Sequence, residues 1–472
     1  NIYQTTQSAS VATDRLFTLL GDAAIESNGG YGNNAQSRND NNAAIVFANT
    51  GAIQFGGNFA GTRTLTLAGN STGDNRIDLL LTDSPDLVGK LSINRSGYSS
   101  WWVLGNQANS YSGATIISGG ALIARDGASL PTASSLQFAD WGGAFQSVGT
   151  FGRGLGTGAG QWRATTTHAN VSFAADTAKL TVDWTGLANP VWSASASGTQ
   201  YFLRGASLVL NTTTSAADVE VKGGIVLTPA SAVSAAFKAI ASGATVVDLN
   251  SGDVSTLAVG QVISGITGIP TGTYITSFNT ATQFNISQAT TALTTAGTAT
   301  ISGGGWHDVN VTDNGNTGLD FATMSGVLSG TGMFSKQGGA NLILGDQNTY
   351  SGNTILRNEG LVVTSVGAAG ATATSLGTNV GGGWLELGNP GGANSVTLIY
   401  VGPGETTTRA IYLTGTSGTR RLEASGSGAL VITNLINNTA NSNTPNTSAQ
   451  AKTLELRGVN TDFNMKIGIA HV

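Results

Sequence analysis

Tyr111-Ser112-Gly113-Ala114-Thr115-Ile116-Ile117-Ser118-Gly119-Gly120-Ala121-Leu122 decides the fold, because it returns as Tyr350-Ser351-Gly352-Asn353-Thr354-Ile355-Leu356-Arg357-Asn358-Glu359-Gly360-Leu361. Both copies follow a Leu-Gly pair, Leu104-Gly105 and Leu344-Gly345, and an Asn/Gln-rich turn. Each copy reads as strands joined by glycine-bearing turns. One such unit is too small to bury its own apolar side chains, so it must stack on neighbours. Stacking gives parallel strands spaced ~4.8 Å around a shared interior, the logic of a solenoid.

Working outward, the same alternation recurs in Thr64-Leu65-Thr66-Leu67, Lys179-Leu180-Thr181-Val182, Ser207-Leu208-Val209-Leu210 and Asn341-Leu342-Ile343-Leu344. Period two predicts strands with one buried face. Turn clusters such as Ala68-Gly69-Asn70-Ser71-Thr72-Gly73-Asp74-Asn75 separate them. The one helix candidate is the Ala-rich stretch 230–241. The stretch 241–303 breaks the rhythm, and its Ile269-Pro270-Thr271-Gly272 turn points to a small inserted β-domain. The expected organisation is a first part over 1–240, the insert over 241–303 and a second part over 304–472.

A longer repeat links the two ends. Ile2-Tyr3, Arg15 to Leu19, Ala44 to Asn49 and Thr64 to Gly69 match Ile399-Tyr400, Arg409 to Leu413, Ala429 to Asn434 and Thr453 to Gly458, in the same order. Residues 395–472 therefore resemble 1–80. Neither end shows a recognisable polar cap, and bare strand edges pair with other strands. Head-to-tail stacking of N-terminal rungs against C-terminal rungs is the expected self-association; a heterologous contact of that kind gives an open fibre.

Composition narrows the classes. Of 472 residues 67 are glycine and 8 proline, and charged residues are 10% against ~25% in ordinary domains. Hydrophobic content of 40% supports a core, which argues against charge-driven disorder. With 21 Lys+Arg against 26 Asp+Glu the net charge is −5, so nucleic acid is not an expected partner. The chain has no cysteine, which removes disulfides and thiolate metal sites and suits an exported bacterial surface protein. No run of 18 apolar residues exists, so no membrane-spanning segment is expected. The chain opens at Asn1-Ile2-Tyr3, as a processed or excerpted chain would.

Chemistry-bearing residues are few. His168, His307 and His471 lie far apart without metal-ligand spacing. Gly69-Asn70-Ser71-Thr72-Gly73 has the form of a nucleophile elbow but sits between strands, where that motif needs a strand-to-helix turn. Gly152 to Gly160 is glycine-rich without the Gly-Lys-Ser/Thr ending of a phosphate loop. Asp83/Asp86 and Asp308/Asp313 are the closest acid pairs for glycosidase-type chemistry. No catalytic residue, cofactor or metal is assigned. Trp101 and Trp102 are adjacent, so in a strand one ring points in and one out. An outward ring is a candidate glycan or partner contact. Asn106, Asn109, Asn348 and Asn353 are expected to hydrogen-bond between stacked turns.

The two Tyr-Ser-Gly segments, over about 92–124 and 329–363, resemble the autotransporter-associated β-strand repeat of bacterial passenger-type surface proteins. The second copy keeps the approach Ser335-Lys336-Gln337-Gly338-Gly339; in the first, Arg95 to Trp102 replaces it. The resemblance implies an all-β, right-handed parallel β-helix displayed outside the cell, in which Tyr111, Ser112, Gly113, Tyr350, Ser351 and Gly352 are structural. The expected function is an extracellular structural or adhesive role on a bacterial surface. The alternatives are a glycan-binding passenger using Trp101 or Trp102 and, behind it, a polysaccharide lyase or hydrolase.

Overall fold

A computed structural model describes residues 10–29, 42–57, 61–85, 90–97, 100–139, 143–165, 170–192, 207–228, 232–252, 261–270, 273–293, 295–302, 306–315, 321–345, 347–379, 383–389, 392–434, 436–437, 452–459 and 465–467, with Val254 and Leu257. Among them there is no α-helix; the chain is all-β, and most strand pairs are parallel. It divides into two compact units, one mainly 1–188 with 211–219 and the other mainly 220–472 with 189–198 and 202–210.

In the first unit, Val11–Thr13 pairs in parallel with Ile45–Phe47, followed in turn by Asn75–Ile77, Trp101–Leu104, Ala121–Ile123, Ala144–Phe151 and Val171–Val182. A second ladder runs Ala23–Glu26, Arg63–Ala68, Leu91–Arg95, Thr115–Ile117, Leu136–Phe138 and Trp162–Ala164. The chain visits the two ladders alternately, so each circuit lays one strand on each. A circuit consumes 34 residues from Val11 to Ile45 and 20 from Trp101 to Ala121. Turns of different length are tolerated because only the strand register must be kept. Inward positions form a continuous core, with Phe138, Trp162 and Phe173 meeting edge to face.

The second unit repeats the plan. One ladder runs Leu208–Leu210, Trp306–Val311, Met333–Gln337, Thr354–Leu356, Leu385–Leu387, Ile411–Leu413 and Ile436–Asn437. Another runs Ala322–Met324, Leu342–Leu344, Glu359–Val363, Val396–Tyr400, Thr419–Ala424 and Thr453–Arg457. Period two is kept: in Val396–Tyr400 the first, third and fifth residues are buried and Thr397 and Ile399 are half-buried.

Leu208 and its partner Val309 lie 101 residues apart, and antiparallel strands account for the excess. Val233–Phe237 and Val262–Ser264 flank Gly297–Ser302, while Val246–Asp248 and Ile275–Thr280 flank Gln283–Ile286. Phe237, Val247, Ile275, Phe284 and Ile301 form their common core. Within 230–241, where a helix is expected, Val233–Phe237 is instead a strand. Pairing with Gly297–Ser302 and burial of Phe237 outweigh the helical preference of its alanines.

The end-to-end likeness follows strand phase. Its N-terminal landmarks fall on Thr18–Leu19, Ile45–Phe47 and Arg63–Ala68, skipping Ala23–Glu26 and Gln54–Phe55. Its C-terminal landmarks fall on Ile411–Leu413, Gly428–Ile432 and Thr453–Arg457, skipping Thr419–Ala424 and Ile436–Asn437. Both sets occupy every second strand. Ile2-Tyr3 lies outside the described residues.

Candidate functional site

The Tyr-Ser-Gly repeat builds the same set of interior contacts twice. Tyr111 and Tyr350 are fully buried, and their hydroxyls bond Thr115 Oγ1 at 2.8 Å and Thr354 Oγ1 at 2.5 Å. Burial pushes both phenols up, Tyr350 to about 12. Two residues earlier, Asn109 and Asn348 each bridge three circuits. Their Oδ1 accepts from the amide of Leu81 or Leu328, at 2.9 and 2.8 Å. Their Nδ2 donates forward to Ser129 O or Ser375 O, at 3.0 and 2.9 Å. A Cβ on Gly113 or Gly352 would fall on Leu91 O or Gly332 O of the preceding circuit. Ser112 Oγ donates to Asp83 Oδ2 at 2.6 Å. The motif is thus a set of contacts between circuits.

Buried cations complete each copy, and the sequence reading missed them. Arg95 and Lys336 occupy equivalent inward positions, two residues beyond the partners of Thr115 and Thr354. Arg95 donates to Leu67 O, Ala121 O and Ser100 O, carbonyls of three circuits. Lys336 Nζ reaches Gly338 O at 3.2 Å and Asn358 O at 2.8 Å. Further on, Arg153 caps the carbonyls of Leu130, Pro131 and Ser134, and Arg409 caps those of Val366, Gly377, Thr378 and Gly383. The two turns read Ser129-Leu130-Pro131-Thr132 and Ser375-Leu376-Gly377-Thr378, a likeness that was available in the sequence.

The first cation explains a neighbouring choice. Gly120 has φ +58, and a Cβ there would meet the Arg95 guanidinium. At the matching place Glu359 has φ +51, beside the slimmer Lys336. Lys336→Arg is therefore expected to destabilise by about 2 kcal/mol alone and by much less together with Glu359→Gly. Additive urea midpoints in that cycle would contradict the pairing.

Burial also pulls the Lys336 ammonium down to about 7. An unfolded lysine keeps its proton to about 10.4, so between these values the unfolded chain binds more protons and stability rises with pH. Lys336→Met is expected to flatten that rise, compared as melting temperatures at about pH 6 and pH 9. An unchanged slope would contradict it.

The other sequence candidates are placed as follows. Trp102 is fully enclosed, its Nε1 donating to Ala68 O at 3.1 Å. Trp101 is half-buried on the outer face, over Ala121, Ala144 and Ala174, with its Nε1 donating to Asp74 at 3.1 Å. Ser71 is buried and its Oγ donates to Ala43 O at 2.6 Å, so it presents no nucleophile. Gly152 to Gly160 is a corner closed by a Leu155–Trp162 bridge. Asp313 caps the amide of Gly315 at 2.7 Å, whereas Asp308 pairs with Arg357, so these two acids serve separate local contacts. His307 is buried, with ring nitrogens 2.7 Å from Met333 O and 3.0 Å from Trp192 O, and burial lowers its pKa. No group of metal-ligating side chains occurs among the described residues. Asp86, His168 and His471 lie outside them.

One outward cluster in the second unit was not anticipated. In register, Asp308, Ser335, Ile355, Glu386 and Tyr412 form a column across five strands. Arg357 holds Asp308 at 3.2 Å, donates from its Nε to Asn389 Oδ1 at 3.2 Å, and lies 4.5 Å from the Trp306 ring centroid. Tyr274 of the antiparallel insert covers Trp306 and Ile355, with rings 5.0 Å apart. At the other end Trp384 and Tyr412 are half-buried and 5.8 Å apart, and Trp384 Nε1 donates to buried Glu386 at 2.9 Å. The Trp306 indole N–H and Ser335 Oγ are buried and have no hydrogen-bond partner.

No family model matches the chain, and no solved structure does. It is similar to the Adhesin BmaC autotransporter of Brucella suis biovar 1, with 33% identity over 172 residues. That stretch is 35% of this chain and 5% of the relative, so the chain matches a small fraction of that protein. No helix among the described residues is long and apolar enough to cross a membrane.

Proposed function

We propose that the chain is an adhesive and structural part of a bacterial surface protein, folded as a right-handed parallel β-helix that carries one β-domain between Val233 and Ser302. The observation carrying this reading is the repeated interior: Asn, Tyr, Gly and cation positions recur in both units and serve contacts between circuits. Likeness to an autotransporter adhesin supports the location and the adhesive role. The role is mechanical rather than enzymatic, with outward side chains left to meet partners. Trp101 is one such contact, presented over a flat alanine strip. Display of the chain on a non-adherent bacterium tests the reading: retention on epithelial cells or extracellular matrix is expected, and retention equal to the empty host would overturn it.

Head-to-tail stacking is part of the proposal. Leu16 and Leu20 are 45% and 71% exposed near the first described strands, and Leu456 and Val459 are 48% and 81% exposed near the last. Apolar surface at both ends favours cover by further rungs, from a second copy or from the same chain extended. Electron microscopy over a dilution series is expected to show end-to-end association that grows with concentration; particles that never associate would contradict it.

A further inference from the structure

We propose that the β-domain inserted between Val233 and Ser302 carries a strand-addition site. The outer edge of Val233–Phe237 takes an extended, uncharged peptide segment of a partner protein, apolar at alternate residues. The proposal is independent of the adhesive reading. Val233–Phe237 is the edge strand of its sheet, paired along one side with Gly297–Ser302. On the other side Lys238 N donates to Asp248 O at 3.0 Å and Asn250 N to Ala236 O at 2.8 Å, around an antiparallel Phe237–Leu249 bridge. That pairing stops at Asn250. Continued, it would set Ser251 opposite Ala235 and Gly252 opposite Ser234, but Gly252, at φ +80, turns the chain away.

The parting leaves an open groove of about 660 Å³ beside the strand. Backbone groups alternate in direction along a strand, so Ser234, like Ala236, turns its N–H and C=O away from Gly297–Ser302 and toward the groove. Ser234 is exposed, and neither of these backbone groups has a protein partner among the described residues. An unpaired edge of this kind is a template for another strand. The lining selects what enters. Val233, Leu249 and Leu257 line the groove and are part of the insert's core or packed on it, so every second side chain of an added strand meets apolar surface. Among the described residues no charged side chain lines it, and a charged segment would lose hydration there without a counter-ion. From Val233 to Ala236 the edge runs ~10 Å, which matches three or four extended residues.

The test uses the 472-residue chain labelled with 15N and titrated with Thr-Val-Thr-Val-Thr, acetylated and amidated at its ends. The Ser234 amide signal is expected to shift saturably, with Kd on the order of 1 mM. In antiparallel pairing the residues opposite Ser234 share its outward face, so the threonine nitrogens of the peptide donate to the edge. Methylating those nitrogens is expected to abolish binding, whereas methylating the valine nitrogens keeps it within about threefold. Ser234→Pro removes a donor that the ladder does not use and should weaken binding about tenfold. Ser234→Ala keeps that donor and should keep the affinity. Absence of saturable shifts, or equal or tighter binding of the threonine-methylated peptide, would overturn the site whether or not Ser234→Pro folds. Protection of the Ser234 amide that grows with protein concentration before any peptide is added would also overturn it, because a second copy would then occupy the edge.

Discussion

Arg409→Met is expected to destabilise the second unit by about 4 kcal/mol. Arg409 is 1% exposed and donates to four backbone carbonyls, those of Val366, Gly377, Thr378 and Gly383. Methionine fills similar volume but removes this donor: Gly377 O keeps its bond from Thr374 Oγ1 at 2.6 Å, while the carbonyls of Val366, Thr378 and Gly383 lose theirs, at about 1–3 kcal/mol for each poorly solvated group. Burial lowers the Arg409 pKa, yet an arginine stays charged at neutral pH. Arg421→Met is the control, because Arg421 and Glu455 are about a third exposed and such pairs contribute about 1 kcal/mol or less. Urea midpoints should separate the two variants clearly. Equal midpoints would mean that the buried guanidinium does not close these turns.

Gly352→Ala comes next, at about 3 kcal/mol or more. The added methyl would overlap Gly332 O, Gly332 C and the Met333 amide, which are backbone atoms of the preceding circuit. A flexible side chain yields by changing rotamer; a stacked backbone yields only by moving the whole circuit. Gly113→Ala meets Leu91 O in the same way and should behave alike. Gly21→Ala has nothing within 4 Å and should be neutral to about 0.5 kcal/mol. A similar small cost at all three positions, read by thermal melts, would contradict the close stacking.

The stacking itself was legible because it is local. Each circuit repeats a strand with period-two burial, so Leu342–Leu344 and Leu208–Leu210 announce themselves without tertiary information. Glycine placement was legible too, since the Tyr-Ser-Gly copies keep it. The buried cations were not, because Arg95, Lys336, Arg153 and Arg409 look like surface charges until turns from several circuits converge on them. The Ala-rich stretch misled for a related reason: its strand partner, Gly297–Ser302, lies some sixty residues away.

The outward cluster was the least accessible part. Asp308, Ser335, Glu386 and Tyr412 are separated by circuits of unequal length, 20 residues from Ser335 to Ile355 and 31 from Ile355 to Glu386. No fixed spacing marks them, and only the register brings them into one column. Sequence reasoning chose Trp101 and Trp102 because they are adjacent. The structure encloses Trp102 and gathers other aromatics, Trp306, Trp384 and Tyr412, on the second unit.

In-register return of the chain is the central claim, and the absence of cysteine makes it directly measurable. Ile399 and Glu423 are outward, half-buried register partners 24 residues apart, and parallel neighbours sit ~4.8 Å from each other, within disulfide reach. The double variant Ile399→Cys/Glu423→Cys should oxidise nearly completely in the folded protein. The variant Ile399→Cys/Arg421→Cys, two residues out of register, should lag well behind. Equal oxidation of both pairs, or faster bonding at Arg421, would contradict the register on which the stacked circuits and the outward column depend.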